Sequence, residues 1–522
     1  MNFDAEQLWL SAPLIVVAVG GMLVLLLEAF SRTREKGPAL AGQPTSSVSP
    51  RTDLAALSLV VLAVAAWLSL SQWEAAATPR LLYSGMLAID RYSIFLAVTF
   101  YAGAALTILL AGGFMREHRF EFGEFYSLVL LATSGMLIFS QATDLVAVFL
   151  GIETMSLAIY VLTGSWRKSA KSSEAALKYF LVGAFASALL IYGIALVYGT
   201  TGTTNLLAIG GTGKALDPAL GLFKVADGAL ANPVFLIGTF LIAAAFAFKI
   251  AAVPFHFWAP DTYEGAPTPV TAFMAAGVKA AGFGAVIRLF ATAYGRSSLT
   301  FGAGGWASLC AVLAILTMTL GNVAALRQEN VKRMLAYSSI SHAGYLLVGV
   351  AAMGLSGAEA RGPLLFYLLA YTFTTLGSFG VVAWYSSYGN ERQNLDDWAG
   401  LGGKHPAAAV AMLGFLLSLG GFPPTAGFFA KFYVFRAALA KPGLMPLVIV
   451  AVVNSIISVF YYLRPITAMY FREAGRETQP VRSNALDAAL LLAAVGVLVL
   501  GLWPDPFITW ASQATLYLPF VK

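Results

Sequence analysis

The chain has 522 residues, 59% of them hydrophobic and only 11% charged, with a formal net charge of +6. Mean hydropathy is +0.77, and apolar runs near 20 residues recur along the whole length, which excludes a soluble globular protein and reads as a polytopic membrane protein. The one cysteine, Cys310, lies inside an apolar run and excludes both a disulfide framework and a cysteine-ligated iron–sulfur cluster.

About fourteen apolar spans are predicted, at approximately 9–30, 53–73, 93–114, 123–140, 143–163, 173–198, 232–257, 267–294, 303–324, 332–353, 362–386, 406–440, 443–470 and 484–503. No Lys or Arg precedes the first span, the first being Arg32, so it is read as a retained helix and not a signal peptide. Residues 31–52, rich in Pro, Ser and basic residues, form a flexible loop. Residues 200–231 form a second, Gly/Thr-rich one, and neither carries a catalytic constellation. The loops after odd-numbered spans hold seventeen Lys and Arg, against eight in the other loops and the C-terminal tail. This excess sets the odd loops in the cytoplasm and both termini outside, and it reads the basic residues as topology signals and not as a nucleic-acid surface. The GxGxxG, P-loop and HExxH motifs are absent, so any redox or nucleotide chemistry that powers the protein is expected in another chain.

Seven basic residues fall within spans: Lys178, Lys249, Lys279, Arg288, Lys431, Arg436 and Arg464. Among the acids, Glu153 in DLVAVFLGIETMSLAIYVL alone stands deep in a span. A charge at the bilayer centre costs at least ~2.5–3.5 kcal/mol, so such residues call for a hydrated path or mutual pairing. Lys178 lies near the end of its span, where it would snorkel, pair with Glu174 at i,i+4, or join a relay. Arg288, Arg436 and Arg464 lie toward span ends and fit snorkelling or structural pairing. Lys279, in APTPVTAFMAAGVKAAGFGAVIRLF, is about twelve residues from either end of its span, too deep to reach water along its own stem. Lysine, unlike arginine, exchanges its proton as its surroundings change, and Glu153 supplies a partner for Lys249 on another helix.

Two segments combine a lysine with a break. In AFKIAAVPFHFWAPD, Pro254 cannot donate to the carbonyl of Ile250, so the helix is expected to open one turn beyond Lys249. In GFPPTAGFFAKF, Pro423 and Pro424 open the chain upstream of Lys431. Non-helical backbone at membrane depth is tolerated where it lines protein or water, and broken helices are typical of ion-transport sites. By the topology above both lysines lie on the outward side of their breaks, as two halves related by inverted symmetry would place them, with five spans each at 123–294 and 303–470. Between the breaks, NVAALRQENVKRMLAYSSISHAGYLLVG gives a helix with Ser338, Ser339, Ser341 and His342 on a polar stripe. His342 would either bridge water wires between Lys279 and Lys431 or tie helices together. His256, beside Trp258 and Asp261, is either part of a proton entry or an interfacial residue; His118 and His405 fall in loops.

FKIAAVPFHFWAPDTYEGAPTPVTAFMAAGVKAAGF resembles the signature of the antiporter-like membrane subunits of respiratory complex I and of Mrp-type cation/proton antiporters. LGIETMSLAIYVL, SSEAALKYFLVGAFASALLIYG, LRQENVKRMLAYSSISHAGYLLVG and GLGGKHPAAAVAMLGFLLSLGGFPPTAGFFAKFYVF are most similar to the subunit N branch of that family, over roughly residues 85–470. The resemblance implies an all-α polytopic membrane fold of about 14 transmembrane helices, with two inverted five-helix repeats and broken helices 7 and 12. The chain then divides into 1–122 (helices 1–3), 123–294 (first repeat), 295–470 (second repeat) and 471–522 (helix 14 and tail). The family's helix-five glutamate falls on Glu153, its helix-seven lysine on Lys249, its helix-eight lysine on Lys279 and its helix-twelve site on Lys431. Lys178 matches a helix-six lysine. The chain stops soon after span fourteen, without the long lateral helix of subunit L.

The implied function is proton translocation in the membrane arm of an NADH:quinone oxidoreductase, a translocase in a bacterial inner (plasma) membrane. Quinone reduction elsewhere would be coupled to a relay of Glu153, Lys178, Lys249, Lys279, His342 and Lys431. No cofactor or metal is expected in this chain; NADH, FMN, iron–sulfur clusters and quinone belong to partner subunits. The implied partners are the antiporter-like subunit M, small subunits such as K and J, and the lipid bilayer, with no nucleic acid. The alternatives are an Mrp-type Na⁺/H⁺ antiporter subunit, and a scaffold whose deep lysines are replaceable at no cost.

Overall fold

A computed structural model describes residues 5–35, 51–210, 232–294, 305–441, 443–473 and 479–516. Residues 36–50 of the first predicted loop, 211–231 of the second, and the tail from 517 lie outside them, as do the topology signals Lys36, Lys214, Lys224, Arg296, Arg476 and Lys522. The protein is built almost wholly of helices: α1 (Ala5–Glu35), α2 (Thr52–Ser71), α3 (Arg91–Glu117), α4 (Glu124–Gln141), α5 (Leu145–Thr163), α6 (Ala170–Thr201), α7 (Pro233–Lys249), α8 (Trp258–Gly265) and α9 (Thr268–Ala293). There follow α10 (Gly305–Leu326), α11 (Val331–Ser356), α12 (Arg361–Trp384), α13 (Pro406–Gly420), α14 (Ala426–Leu439), α15 (Met445–Phe471), α16 (Asn484–Leu502) and α17 (Asp505–Gln513). Among the described residues, eleven helices are long and apolar enough to cross a membrane, and α7 and α13 are shorter apolar helices. This is a multi-pass membrane protein.

Helix starts follow from local chemistry. Asp90 begins α3 with a capping box, its carboxylate accepting from the Ser93 amide at 2.8 Å while the Ser93 hydroxyl accepts from the Asp90 amide at 3.1 Å. Asp144 caps α5 and Asn232 caps α7, where Pro233 takes the first turn that needs no N–H. Burial separates an inner set of helices from an outer one. The membrane-length window of α9 is 100% buried and that of α12 94%, whereas α6 buries only 28% and α2 33%. The inner helices hold the polar side chains; the outer ones turn Leu, Val and Phe outward, as a lipid-facing surface requires.

Sequence patterning did not foresee the hairpin of β1 (Arg80–Leu82) and β2 (Leu87–Ile89), which pairs Arg80 with Ile89 and Leu82 with Leu87. Its turn is pinned where the Thr143 hydroxyl and the Asn205 amide both donate to the Gly85 carbonyl, at 2.8 and 3.0 Å.

The two expected breaks are present. α7 ends at Lys249 itself, not one turn beyond it, because Ala251 turns into the left-handed region (φ 55°) before Pro254 is reached. Its amide donates to the Phe248 carbonyl (3.1 Å), and the Ala252 amide donates to the Ala247 carbonyl (2.8 Å). The apolar run at 406–440 is likewise two helices. α13 ends with Gly421 at φ 85°, the Gly421 amide donating to Ser418 (3.0 Å) and the Phe422 amide to Leu417 (3.0 Å). Both ends are Schellman motifs, and each is followed three residues later by the second half's proline, Pro254 or Pro424. Each break contains a cis X–Pro bond, at Val253–Pro254 and Pro423–Pro424.

Candidate proton-relay site

Of four buried lysines among the described residues, Lys332 has a carboxylate partner and three do not: Lys249, Lys279 and Lys431, which are 3%, 2% and 5% exposed. Among the described residues none of the three has a carboxylate within ion-pairing distance; each is held by hydroxyls or carbonyls instead. Lys249, the last residue of α7, donates to the Ser156 hydroxyl of α5 at 2.7 Å. Its ammonium stands 5.4 Å from the ring centres of both Tyr160 and Tyr179, within cation–π range. The end of α7 packs on α9 at Gly282, where a Cβ would meet Ile250 Cγ2 at 3.0 Å.

Lys279 follows a five-residue π-helical turn, Met274–Val278, inside α9. A π turn shifts the side chains after it around the axis, and such turns concentrate at functional sites. The Lys279 ammonium donates to both the carbonyl and the hydroxyl of Ser339 on α11. His342, one turn further along α11 and 3% exposed, bonds through Nδ1 to Tyr367 Oη (2.6 Å) and through Nε2 to Tyr462 Oη (3.2 Å). Tyr462 Oη also bonds the Ser338 hydroxyl. On the far side, the His342 ring lies 5.7 Å from that of Tyr345, which stands 4.9 Å from the Lys431 ammonium. Lys431 reaches back across the second break to the Gly420 carbonyl (3.0 Å) and to the Ser455 hydroxyl (3.0 Å). His342 is thus placed between Lys279 and Lys431, in a row of serine and tyrosine hydroxyls.

Two sequence expectations need amendment. Glu153 forms no ion pair with Lys249. It is half-buried and accepts from the Ser187 hydroxyl of α6, while Ser156, one turn on, occupies Lys249. Lys178 is 45% exposed and pairs with Glu174 (2.7 Å) and Asp261 (2.9 Å), so the fold does not bring it into the buried row. It belongs to a surface network in which Arg333 also bonds Asp261 (2.7 Å) and Glu264 (3.1 Å), and Lys171 bonds Glu264 (3.0 Å). In this network burial raises the Asp261 and Glu264 carboxyls, but hydrogen bonds from Lys178 and Arg333 to the first, and from Lys171 and Arg333 to the second, outweigh it. Both are held below the usual carboxylate range.

Other buried and half-buried charges are structural. Arg288 grips Asp90 with two nitrogens (2.9 and 2.8 Å) and donates to the Ser140 carbonyl (2.6 Å); both side chains are almost fully enclosed. Lys332 pairs with Glu391 (3.0 Å) and caps the Ala266 carbonyl (2.7 Å). Arg464 caps α10 through the Leu326 and Gln328 carbonyls, each at 2.8 Å. Asp90 and Glu391 escaped sequence reasoning because they lie in connections between spans. Tyr345 stands beside the polar stripe in the sequence, but Tyr160, Tyr179, Tyr367 and Tyr462 escaped because in an apolar run they read as packing.

A helical membrane bundle with two broken helices and a row of enclosed lysines is the architecture of an antiporter-like transport subunit. The chain belongs to the NADH:quinone oxidoreductase/Mrp antiporter membrane family, whose profile matches residues 142–458. Within it, the chain falls in the NADH-quinone oxidoreductase subunit N branch. It is 46% identical to NADH-quinone oxidoreductase subunit N 1 of Sorangium cellulosum, covering 97% of this chain and 98% of that one. It is 41% identical to subunit N of Trichlorobacter lovleyi, covering 98% of each. The solved respiratory complex I from Thermus thermophilus with bound aureothin contains a chain similar in fold, with TM-score 0.75, 33% identity, and coverage of 96% and 100%. A chain of the Mrp complex from Dietzia sp. shares the fold with TM-score 0.79 at 22% identity, covering 97% of this chain and 96% of its own.

Proposed function

We propose that this chain translocates protons as a membrane-arm subunit of an NADH:quinone oxidoreductase, with Lys249, Lys279, His342 and Lys431 as the relay. One observation carries the reading: three enclosed lysines, each on a hydroxyl or carbonyl acceptor, with His342 and the Tyr367 and Tyr462 hydroxyls between the last two. Enclosed ammonium groups without counter-charges are costly, and a site that tolerates three of them is built to change their protonation. The linked lysines titrate as a set, not as independent groups. Quinone reduction elsewhere in the complex alters the field along the arm. Glu153, near Lys249 but not bonded to it, is the charge whose approach and retreat bias that lysine, and the proton passes from Lys249 through Lys279 toward Lys431. Lys178 acts in the surface network.

Counting α4, and taking residues 232–257 (α7 and its break) and α13–α14 each as one crossing, gives fourteen crossings in a bacterial plasma membrane. Both termini are then outside, and the inverted repeats span 123–294 and 295–470. The redox groups (NADH, FMN, iron–sulfur clusters and quinone) reside in partner subunits, and subunits M, K and J are the expected neighbours. The family's other branch suggests Na⁺/H⁺ exchange. A Na⁺ site needs clustered carboxylates and carbonyls, whereas a row of lysines repels the ion. The test is the assembled complex in proteoliposomes carrying Lys249→Ala or Glu153→Gln. Loss of NADH-driven lumen acidification with assembly intact is expected. Unchanged acidification in both variants, or a Na⁺ flux lost in its place, refutes the proposal.

A further inference from the structure

A cavity of about 720 Å³ opens at one end of the bundle, where α2, α3, α12 and α16 meet. Thr52, Arg116, Trp384, Arg482, Asn484 and Asp487 are among its lining residues. Its volume falls in the ~300–1,000 Å³ range of small-ligand sites. Among the described residues, neither the Arg116 nor the Arg482 guanidinium has a hydrogen bond or an ion pair with a carboxylate. Glu121 lies close enough to Arg116 to feel its charge, but it accepts from the Arg51 amide at 3.2 Å. The one lining carboxylate, Asp487, accepts from Trp384 Nε1 at 3.0 Å. The wall therefore carries two positive charges against one negative. Both α2 and α16 also begin here, and helix starts are positive. The topology proposed above sets this end at the cytoplasmic face, where interfacial tryptophans and phospholipid headgroups share one depth.

The two arginines are brought to the cavity by packing. Gly113 of α3 makes room for Ser483, since a Cβ there would stand 2.4 Å from Ser483 Cβ. The Val481 amide donates to the Trp384 carbonyl at 2.9 Å. These contacts press the segment before α16 onto the end of α3, so that Arg482 and Arg116 line the same space. A track leads from there into the membrane. Between Tyr92 and Arg116, the residues of α3 that are not buried are Val98, Ala102, Ala105, Leu109, Gly112 and Arg116. They recur every three or four residues and so form a single open stripe on a helix otherwise enclosed. α2 and α16 both pack on α3 with little contact between themselves, and both turn apolar side chains such as Val60, Trp67, Leu491 and Leu498 outward. From Arg116 to Ala102 the stripe covers about 21 Å, more than the ~15 Å hydrocarbon depth of one leaflet.

We propose that this cleft holds an anionic phospholipid, its phosphodiester between Arg116 and Arg482 and one acyl chain along the α3 stripe. The site goes beyond the proton relay and does not depend on it. Charge selects the class of lipid. A headgroup with one net negative charge neutralises the single excess charge of the wall, whereas a zwitterionic headgroup leaves it standing. Guanidinium groups meet phosphate oxygens through paired N–H donors, and basic pockets between helices at the cytoplasmic face suit anionic headgroups. Ala102, Ala105 and Gly112 keep the floor low, so that the chain beds into the stripe. A transmembrane helix of another subunit could cover the same stripe, but it supplies nothing for two arginines at headgroup depth.

The test is photo-crosslinking of the assembled complex in phosphatidylcholine nanodiscs that contain a little phosphatidylglycerol with a diazirine in one acyl chain. Peptide mass spectrometry is expected to find adducts on residues 98–112 of α3. Excess unlabelled phosphatidylglycerol should compete them away, and excess phosphatidylcholine should not. Arg116→Gln with Arg482→Gln is expected to lower the yield of these adducts by roughly tenfold or more, and Arg116→Lys with Arg482→Lys to lower it less. Equal competition by the two lipids reduces the contact to bulk bilayer and overturns the proposal, as does an unchanged yield in the glutamine variant. Labelling of the outer faces of α2 and α16 with none on α3 assigns the stripe to a neighbouring subunit and also overturns it. If the glutamine variant fails to assemble, the competition in the native complex decides alone.

Discussion

Replacing Asp90 by asparagine tests how the relay is held in place. Asn keeps the shape and the N-cap chemistry of Asp90 but removes its charge, leaving the Arg288 guanidinium enclosed without its counter-ion. Arg288 makes three hydrogen bonds of 2.6–2.9 Å through its side chain, two of them to Asp90. Breaking a buried pair by removing one partner costs about 3–5 kcal/mol, because the remaining charge is uncompensated. Arg288 also lies nine residues beyond Lys279 on α9, about 13.5 Å along the same helix, so its anchor fixes the register of that lysine. Thermal unfolding of the purified complex should show the destabilisation in Asp90→Asn and in Arg288→Met. The double variant, with no stranded charge, should cost less than the sum by about 2–3 kcal/mol. Additive costs, or a single-variant cost below about 1 kcal/mol, would show that the pair does not anchor α9.

Lys279→Arg keeps a permanent charge that cannot pass on its proton, so the complex should assemble and proteoliposome acidification should be lost; native pumping would mean that Lys279 carries no proton. Gly421→Ala places a side chain at φ 85° and a Cβ 3.0 Å from Lys431 Cδ. It should destabilise by about 1–2 kcal/mol and lower pumping. Ala251→Gly relieves φ 55° at the matching position and should be neutral or stabilising by thermal midpoint; effects of one sign in both variants would contradict the comparison. Asp261 and Glu264 are held below the usual carboxylate range, so the stability they contribute is complete above about pH 5 and is lost as pH falls through their lowered values. Asp261→Asn should flatten the acid limb of the thermal midpoint measured against pH, and an unaltered limb would count against the network.

Hydropathy and charge alone were enough to reveal the membrane class, the deep position of Lys279 and the two broken segments, because a polar group in a long apolar run is conspicuous whatever the tertiary fold. Partner choice was not legible. Lys249 was expected to face Glu153, but the serine one turn further on fits the helix-to-helix distance, and no sequence period distinguishes the two. Lys178 has Glu174 one turn back in sequence, whereas Asp261, 83 residues away, became its second partner only through packing. The π turn before Lys279 leaves no compositional trace, and the role of Ala251 in ending α7 was hidden by the more visible Pro254.

The acceptor that Lys431 finds at the end of α13 is main chain. Side-chain counter-ions are vulnerable: a single base change deletes one, and acid silences it. The Gly420 carbonyl is subject to neither, since every residue brings the same oxygen and that oxygen does not titrate in the physiological range. Only rewinding or further fraying of the half-helix can withdraw it. The interruption in the helix therefore gives the lysine a fixed landing point that sequence drift cannot erase, and any control over that contact has to be exerted mechanically, by moving the helix end.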